Sequence, residues 1–133
     1  MIDVPTLKSW IEGLGYDAVP ESPMTLRIQP RDAEGSPRST ALPPVFVPHS
    51  EKWVLLSMLA MLGRGAYRAG DLGRRLLAAN RDMRLAKFAL DKNGAVVLCA
   101  ELPTESLDAS EIADAVQRMT EYARRFAAEF RRA

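Results

Sequence analysis

The stretch RLAKFALDKNGAVVLCAEL, residues 84–102, decides the fold because it carries a complete β-hairpin signal. At its centre stands DKNG, and Asn93 and Gly94 accept the positive φ angles of a tight turn at little cost. A two-residue loop is one alternative. A three-residue loop with Gly94 left-handed is the other, and it sets Leu90 opposite Val96. We predict the second, because a slip of one residue would break up the apolar face of the hairpin.

The preferred loop sorts the side chains of the hairpin into two faces. The apolar face holds Phe88, Leu90, Val96, Leu98, Ala100 and Leu102. The other face is only half polar and holds Lys87, Ala89, Val97, Cys99 and Glu101. Apolar side chains on a second face indicate a surface that another element or another chain covers.

The most apolar run of the chain precedes the hairpin and reads KWVLLSMLAML, residues 52–62. It shows no alternation of apolar and polar residues, as is typical of a central strand buried on both faces. A buried helix also fits, since leucine, methionine and alanine favour helices. We favour the strand, because its length and its neighbours suit a sheet.

The remaining elements follow from periodicity, caps and breakers. Asp71 can cap the helix DLGRRLLAAN and Asn80 can end it, while Asp108 and Glu111 form a capping box for the last helix. The predicted elements are a helix over 6–14, strands over 24–29, 45–47 and 52–62, a helix over 71–80, the hairpin, and a helix from Asp108 onward. We predict a single α+β domain over residues 1–133, ordered helix, three antiparallel strands, helix, β-hairpin, helix.

Bulk composition narrows the classes of function. The 133 residues carry a net charge of +1, which is no electrostatic footprint for nucleic acid. The single cysteine excludes an internal disulfide, the start MIDVPTLKSW lacks the pattern of a signal peptide, and no apolar run reaches the ~18 residues of a membrane span. We expect a cytoplasmic protein that binds neither nucleic acid nor membrane.

Few side chains of the sequence are candidates for catalysis or metal binding. His49 is the only histidine, and Cys99 lies mid-strand among apolar neighbours, so neither has the partners of a metal site or of an activated nucleophile. The carboxylates of Glu101, Glu105 and Asp108 could hold a divalent ion, but helix starts attract carboxylates in any case. We predict that the chain is not an enzyme and holds no cofactor and no metal.

Four arginines offer an alternative function. They lie in and after a glycine-bearing loop, GRGAYRAG, which lacks the Gly-Lys-Ser/Thr of a phosphate-binding loop. They are Arg64, Arg68, Arg74 and Arg75. If they gather around an anion, the chain would be a small-ligand or anion-binding regulator.

Three segments carry a resemblance to a known family: VFVPHSEKWVLLS, DLGRRLLAANRDMRLAKFALDKNG and VVLCAELPTESLD. With the order of elements above, the chain resembles the YbjN-like proteins, which are related in fold to the chaperones of type III secretion systems. The resemblance covers residues 45–130, and its strongest pieces are LLAAN, KF and ELP. It implies an α+β fold with a twisted antiparallel sheet, frequent dimers and protein-binding roles in bacteria.

The leading hypothesis for the function combines the apolar second face of the hairpin with the family resemblance. It is a non-enzymatic protein-binding module, chaperone-like or regulatory, that forms a homodimer and holds a partner segment on an apolar sheet or helix face. The expected partner-binding residues are Trp53, Leu55, Ala89, Val97 and Cys99.

Overall fold

The protein folds as one antiparallel sheet with three helices, and the computed structural model describes residues 3–30, 45–48, 52–62, 68 and 70–131. The elements are α1 (Val4–Glu12), β1 (Tyr16–Ser22), β2 (Thr25–Pro30), β3 (Val45–Pro48), β4 (Trp53–Leu62), α2 (Leu72–Asp82), β5 (Ala86–Leu90), β6 (Val96–Pro103) and α3 (Ala109–Arg131). The six strands lie in the order β1-β2-β3-β4-β6-β5. The α+β class predicted from the sequence is confirmed.

The first strand, β1, is an addition to the predicted order, which had three strands before the second helix where the structure has four. Its sequence YDAVPES contains poor strand formers, and of its side chains only that of Ala18 is fully buried. Gly15, with a φ of 94°, turns the chain back after α1. As an edge strand β1 tolerates Pro20, which would interrupt a central strand.

The apolar run over residues 52–62 is a strand, so the helical alternative is wrong for this segment. β4 pairs with β3 on one side and with β6 on the other. Val54, Leu56 and Met58 are buried on the side that faces the core. The expectation of burial on both faces fails at Trp53, whose side chain is 49% exposed on the other side.

The hairpin has the predicted register. Phe88 pairs with Leu98 and Leu90 with Val96, and Gly94 has a φ of 83°. The carboxylate of Asp91 holds the loop by accepting hydrogen bonds from the N–H groups of residues 93 and 95, at 2.8 and 3.0 Å. The turn is therefore specified by an Asx-type contact as well as by glycine.

Gly94→Val is expected to lower the free energy of unfolding by about 1–2 kcal/mol, because a β-branched side chain strains a backbone of positive φ. Chemical denaturation of both proteins measures the difference. Gly94→Asn is the matched control and should cost less, since asparagine tolerates this region of φ and ψ. Equal losses for the two substitutions would contradict the conformational explanation.

The core lies between one face of the sheet and the helices. Helix α3 has an apolar stripe at spacings of three and four residues, and its members Ile112, Val116, Met119, Ala123 and Phe126 are buried. The Phe126 ring meets that of Phe88 edge-on, with centroids 5.8 Å apart. Helix α1 packs beside α3, where its Leu7 and Ile11 are fully buried. Burial of these apolar stripes on the sheet is the main stabilising contribution to the fold.

The N-terminus of α3 has the predicted acidic cap. The Asp108 carboxylate accepts hydrogen bonds from the Ser110 hydroxyl at 2.7 Å and from the Glu111 N–H at 3.0 Å. These two bonds, the hydroxyl's foremost, hold the pKa of the Asp108 carboxyl below its usual value. The stabilising effect of the cap is thus present above the ordinary carboxyl pKa and is lost as pH falls through the lowered one.

Helix α2 differs from its prediction at both ends. The side chain of Asp71 makes no capping hydrogen bond, and the helix continues past Asn80 to Asp82. The Asn80 amide instead contacts the edge strand β5: its Oδ1 accepts from the Phe88 N–H at 2.7 Å, and its Nδ2 donates to the Phe88 carbonyl at 3.0 Å. Asn80 therefore satisfies, from a helix, the peptide groups that an edge strand leaves unpaired.

Candidate functional site

The sheet face turned away from the core is the first candidate surface, and we call it the open face. In the register of the strands it contains Val19, Arg27, Phe46, Trp53, Leu55, Ser57, Lys87, Ala89, Val97, Cys99 and Glu101. None of the apolar residues among them belongs to the core cluster that the helices share. Within the described part of the chain, the buried stripes of the helices belong to the core on the opposite face, and α2 reaches the open face at Lys87 and Ala89 of the edge strand β5.

The structure brings all five predicted partner-binding residues onto the open face. Trp53 and Ala89 are exposed, Leu55 and Cys99 are half-buried, and Val97 is only 6% exposed. Val97 thus offers little surface to a partner, although it lies where the sequence placed it. Exposed tryptophan beside half-buried aliphatic groups is the composition expected of a protein-binding surface.

Cys99 lies on the open face between Ser57 and Lys87 in the register. Burial, with a smaller contribution from the carboxylate of Glu101, raises the pKa of its thiol. Lys87, opposite Cys99 on β5, directs its ammonium to the carbonyls of Asn80 and Met83 at the end of α2. Near neutral pH the thiol is protonated, and it behaves as a small apolar side chain.

Three of the four arginines of the predicted anion site lie in the described part of the chain. Arg64 lies outside the described residues. Arg68 precedes α2, and Arg74 and Arg75 follow one another on that helix, where successive side chains point about 100° apart. The arrangement gives no specific support to a small-anion regulator.

Metal and membrane sites find no support in the described part of the chain. No group of three or more histidine, cysteine or acidic side chains there could hold a metal ion, so Glu101, Glu105 and Asp108 form no such set. His49 lies outside the described residues. No described helix is long and apolar enough to cross a membrane.

A second candidate surface was missed by the sequence analysis. It is an apolar groove between α2 and β5, with a volume of about 330 Å³. Its lining residues are Gly73, Leu76, Leu77, Asn80, Phe88, Ala89 and Leu90. The signal that could have found it is Leu77, a leucine outside the buried stripe of α2 that leaves its side chain 72% exposed.

Comparison with known protein families gives one match, over residues 24–133. The matching family is described as the T3SS (YopN, CesT) and YbjN peptide-binding chaperone family 1. Among curated protein sequences, no significant match is found.

Solved structures share the fold at low sequence identity. YbjN from E. coli is 20% identical, with a TM-score of 0.69 over 96% of this chain and 90% of the other. A chain of the heterodimeric ExoU–SpcU complex from the type III secretion system of Pseudomonas aeruginosa is 23% identical, with a TM-score of 0.59 over 93% of each chain. The HopA1–SchA chaperone–effector complex contributes a chain 16% identical, with a TM-score of 0.62 over 96% and 99%.

Proposed function

Because the chain belongs to the family of peptide-binding chaperones that includes YbjN and the type III secretion proteins YopN and CesT, we propose that it holds a segment of a partner protein on its open face. Members of this family bind peptides rather than catalyse a reaction. We propose the same of this chain, as a single domain over residues 1–133 that acts in the bacterial cytoplasm without a cofactor.

The observation that carries this proposal is the grouping of apolar side chains on the sheet face opposite the core. Trp53 and Leu55 project from β4, and Phe46 projects from β3 beside it. A partner side chain placed against them would be removed from water on the side that the core does not reach. Two of the similar structures are complexes with protein partners, ExoU with SpcU and HopA1 with SchA, which agrees with a protein as the bound species.

The fluorescence of Trp53 tests the proposal directly. The chain has two tryptophans, so a Trp10→Phe variant leaves Trp53 as the sole reporter. The probe is a short synthetic peptide of alternating leucine and threonine. Its binding should shift the emission of Trp53 to the blue, because the peptide covers a ring that is half exposed in the free protein.

Leu55→Asp in the same background should abolish this shift by placing a charge in the contact surface. Leu14→Asp, at an exposed leucine after α1, is the matched control and should bind the peptide as the parent does. An emission that does not change with added peptide, or that changes equally in the Leu55 variant, would reject the open face as the binding surface.

We also propose that a second copy of the chain covers the part of the open face on β1, as a two-fold homodimer that leaves Trp53 and Leu55 accessible. Light scattering at micromolar concentration should then give about twice the 14.7 kDa chain mass. Val19→Asp, three strands away from Leu55, should return the mass to that of one chain, and Leu14→Asp should not. A monomer throughout the micromolar range would exclude the dimer while leaving the peptide experiment to decide the partner site.

A further inference from the structure

The groove between α2 and β5 is closed at one end and open along its side. The paired hydrogen bonds between Asn80 and Phe88 close it where helix and strand come together. From there the lining extends along α2 to Gly73, which contributes no side chain to the wall, and along β5 to Leu90. The remaining volume, about 330 Å³, lies within the range of pockets that take a side chain or a small ligand.

The rim of the groove is formed by large apolar side chains that face water. Leu77 is 72% exposed and Leu90 is 48% exposed, whereas Leu76 and Phe88 beneath them are buried. Two exposed leucines on neighbouring elements form a continuous apolar surface rather than isolated exposed residues. Such a surface is stabilised when a partner side chain fills it.

The charge around the groove selects the partner. Residues 70–90 contain five basic and two acidic residues, a net charge of +3 within a chain whose total is +1, which leaves −2 for the rest. Arg74 and Arg81 stand three residues before and four residues after Leu77, on the same exposed stripe of α2. The exposed contact of Arg81 with Asp82, at 3.4 Å, is the kind of surface pair that an incoming carboxylate can replace.

The way that β5 is paired excludes one mode of binding. Asn80 already occupies the outward peptide groups of Phe88, so a partner cannot extend the sheet there by main-chain pairing. Recognition in this groove must come from side chains, by burial of an apolar anchor and by charge around it.

We propose that the α2–β5 groove binds an acidic segment of a partner protein, with a leucine or phenylalanine anchor in the groove and flanking carboxylates toward Arg74 and Arg81. It is a second contact that adjoins the open face at Ala89, a residue of both surfaces, and it restricts the partner to segments of acidic and apolar composition. The two contacts together would hold one partner chain at two places, which raises affinity through effective concentration.

The test uses a fluorescein-labelled synthetic peptide with a Leu-Phe core between glutamates, titrated with the full chain and followed by fluorescence anisotropy. The wild type should bind it at micromolar concentration, and added salt should weaken the binding. Leu77→Asp should weaken it at least about tenfold. Because Leu77 faces water between two arginines, this variant should keep the wild-type melting temperature. Leu90→Asp serves as a second variant on the strand side of the groove.

The controls separate this inference from the proposed function. A peptide with lysines in place of the glutamates should fail to bind, and Val19→Asp, on the open face, should bind the acidic peptide as the wild type does. Equal binding of the lysine peptide, or acidic-peptide binding unchanged in both Leu77→Asp and Leu90→Asp, would overturn the assignment. A third result would also overturn it: the wild type fails to bind the acidic peptide, and Leu77→Asp converts the dimer to a monomer. The groove would then be occupied by a second copy of the chain. The Trp53 emission experiment is independent of all these outcomes.

Discussion

Leu98→Ala is expected to lower the free energy of unfolding by about 3–4 kcal/mol, the largest loss among the substitutions considered for this chain. Leu98 is 0% exposed at the centre of β6, between Met58 of β4 and Phe88 of β5 in the register. Alanine would remove the apolar contacts of the side chain and leave a cavity that two paired strands cannot close by moving together. Urea denaturation followed by circular dichroism measures the difference.

Leu77→Ala is the matched control, since it makes the same chemical change at a leucine that is exposed. Its effect should stay within about 0.5 kcal/mol, because little surface is buried there in the monomer. Similar losses for the two leucines would contradict the explanation that the burial of Leu98 causes the loss.

Asn80→Ala is expected to lower the free energy of unfolding by about 2 kcal/mol. The substitution removes both hydrogen bonds to Phe88 and leaves a partly buried N–H and carbonyl without their partner, while the better helix propensity of alanine returns a small part of the loss. It also exposes the edge of β5, so the variant should aggregate more readily on heating.

Two further variants make this expectation specific. Asn80→Asp keeps an oxygen for the 2.7 Å bond from the Phe88 N–H but places a carboxylate oxygen against the Phe88 carbonyl in the last turn of α2, so it should not recover the stability that alanine loses. Arg81→Ala, at the next and exposed position of α2, should have little effect. If the Asn80 and Arg81 variants lose the same stability, the contact with β5 contributes nothing.

The hairpin could be predicted to the residue because two independent constraints agree. The turn chemistry of Asn93 and Gly94 allowed two loops, and the apolar pattern of the flanking residues was consistent with one of them. Likewise, the apolar stripe of α3 follows from spacing alone as far as Phe126. In both cases the information is local, since neighbours within one element or one turn decide the structure.

The elements that sequence reasoning missed depend on partners far along the chain. β1 is a strand because β2 pairs with it, although its own composition disfavours extended structure. Asn80 has the composition of a helix end, and only the approach of β5 gives its amide a different role. The strength of tertiary contacts thus overrides the weak local preference in each case.

In the candidate site, too, some features follow from local sequence and others depend on distant contacts. Because successive side chains of a strand point to opposite faces, the assignment of β4 as a strand and the register of the hairpin were sufficient to place Trp53, Leu55, Ala89, Val97 and Cys99 on one face. Periodicity could not give the depth of each side chain, and Val97 is more deeply buried than a contact residue should be. Leu77, a leucine outside the buried stripe of α2, marks one wall of the α2–β5 groove, but the sequence does not show that β5 forms the other wall.

The order of the strands also determines where the entropic cost of folding falls. Among the described strands, every neighbouring pair except β4–β6 joins strands that are consecutive along the chain. To form that pair, the chain must close a loop over residues 63–95, and the cost of closure rises with loop length before any contact compensates for it. The pairings within β1–β4 and the pairing of β5 with β6 are local and can form quickly. The kinetic barrier therefore lies at the pairing of β4 with β6. Leu98 lies in that pairing, and stopped-flow refolding of Leu98→Ala should therefore be slower than that of the wild type, whereas an effect confined to the unfolding rate would place the barrier elsewhere.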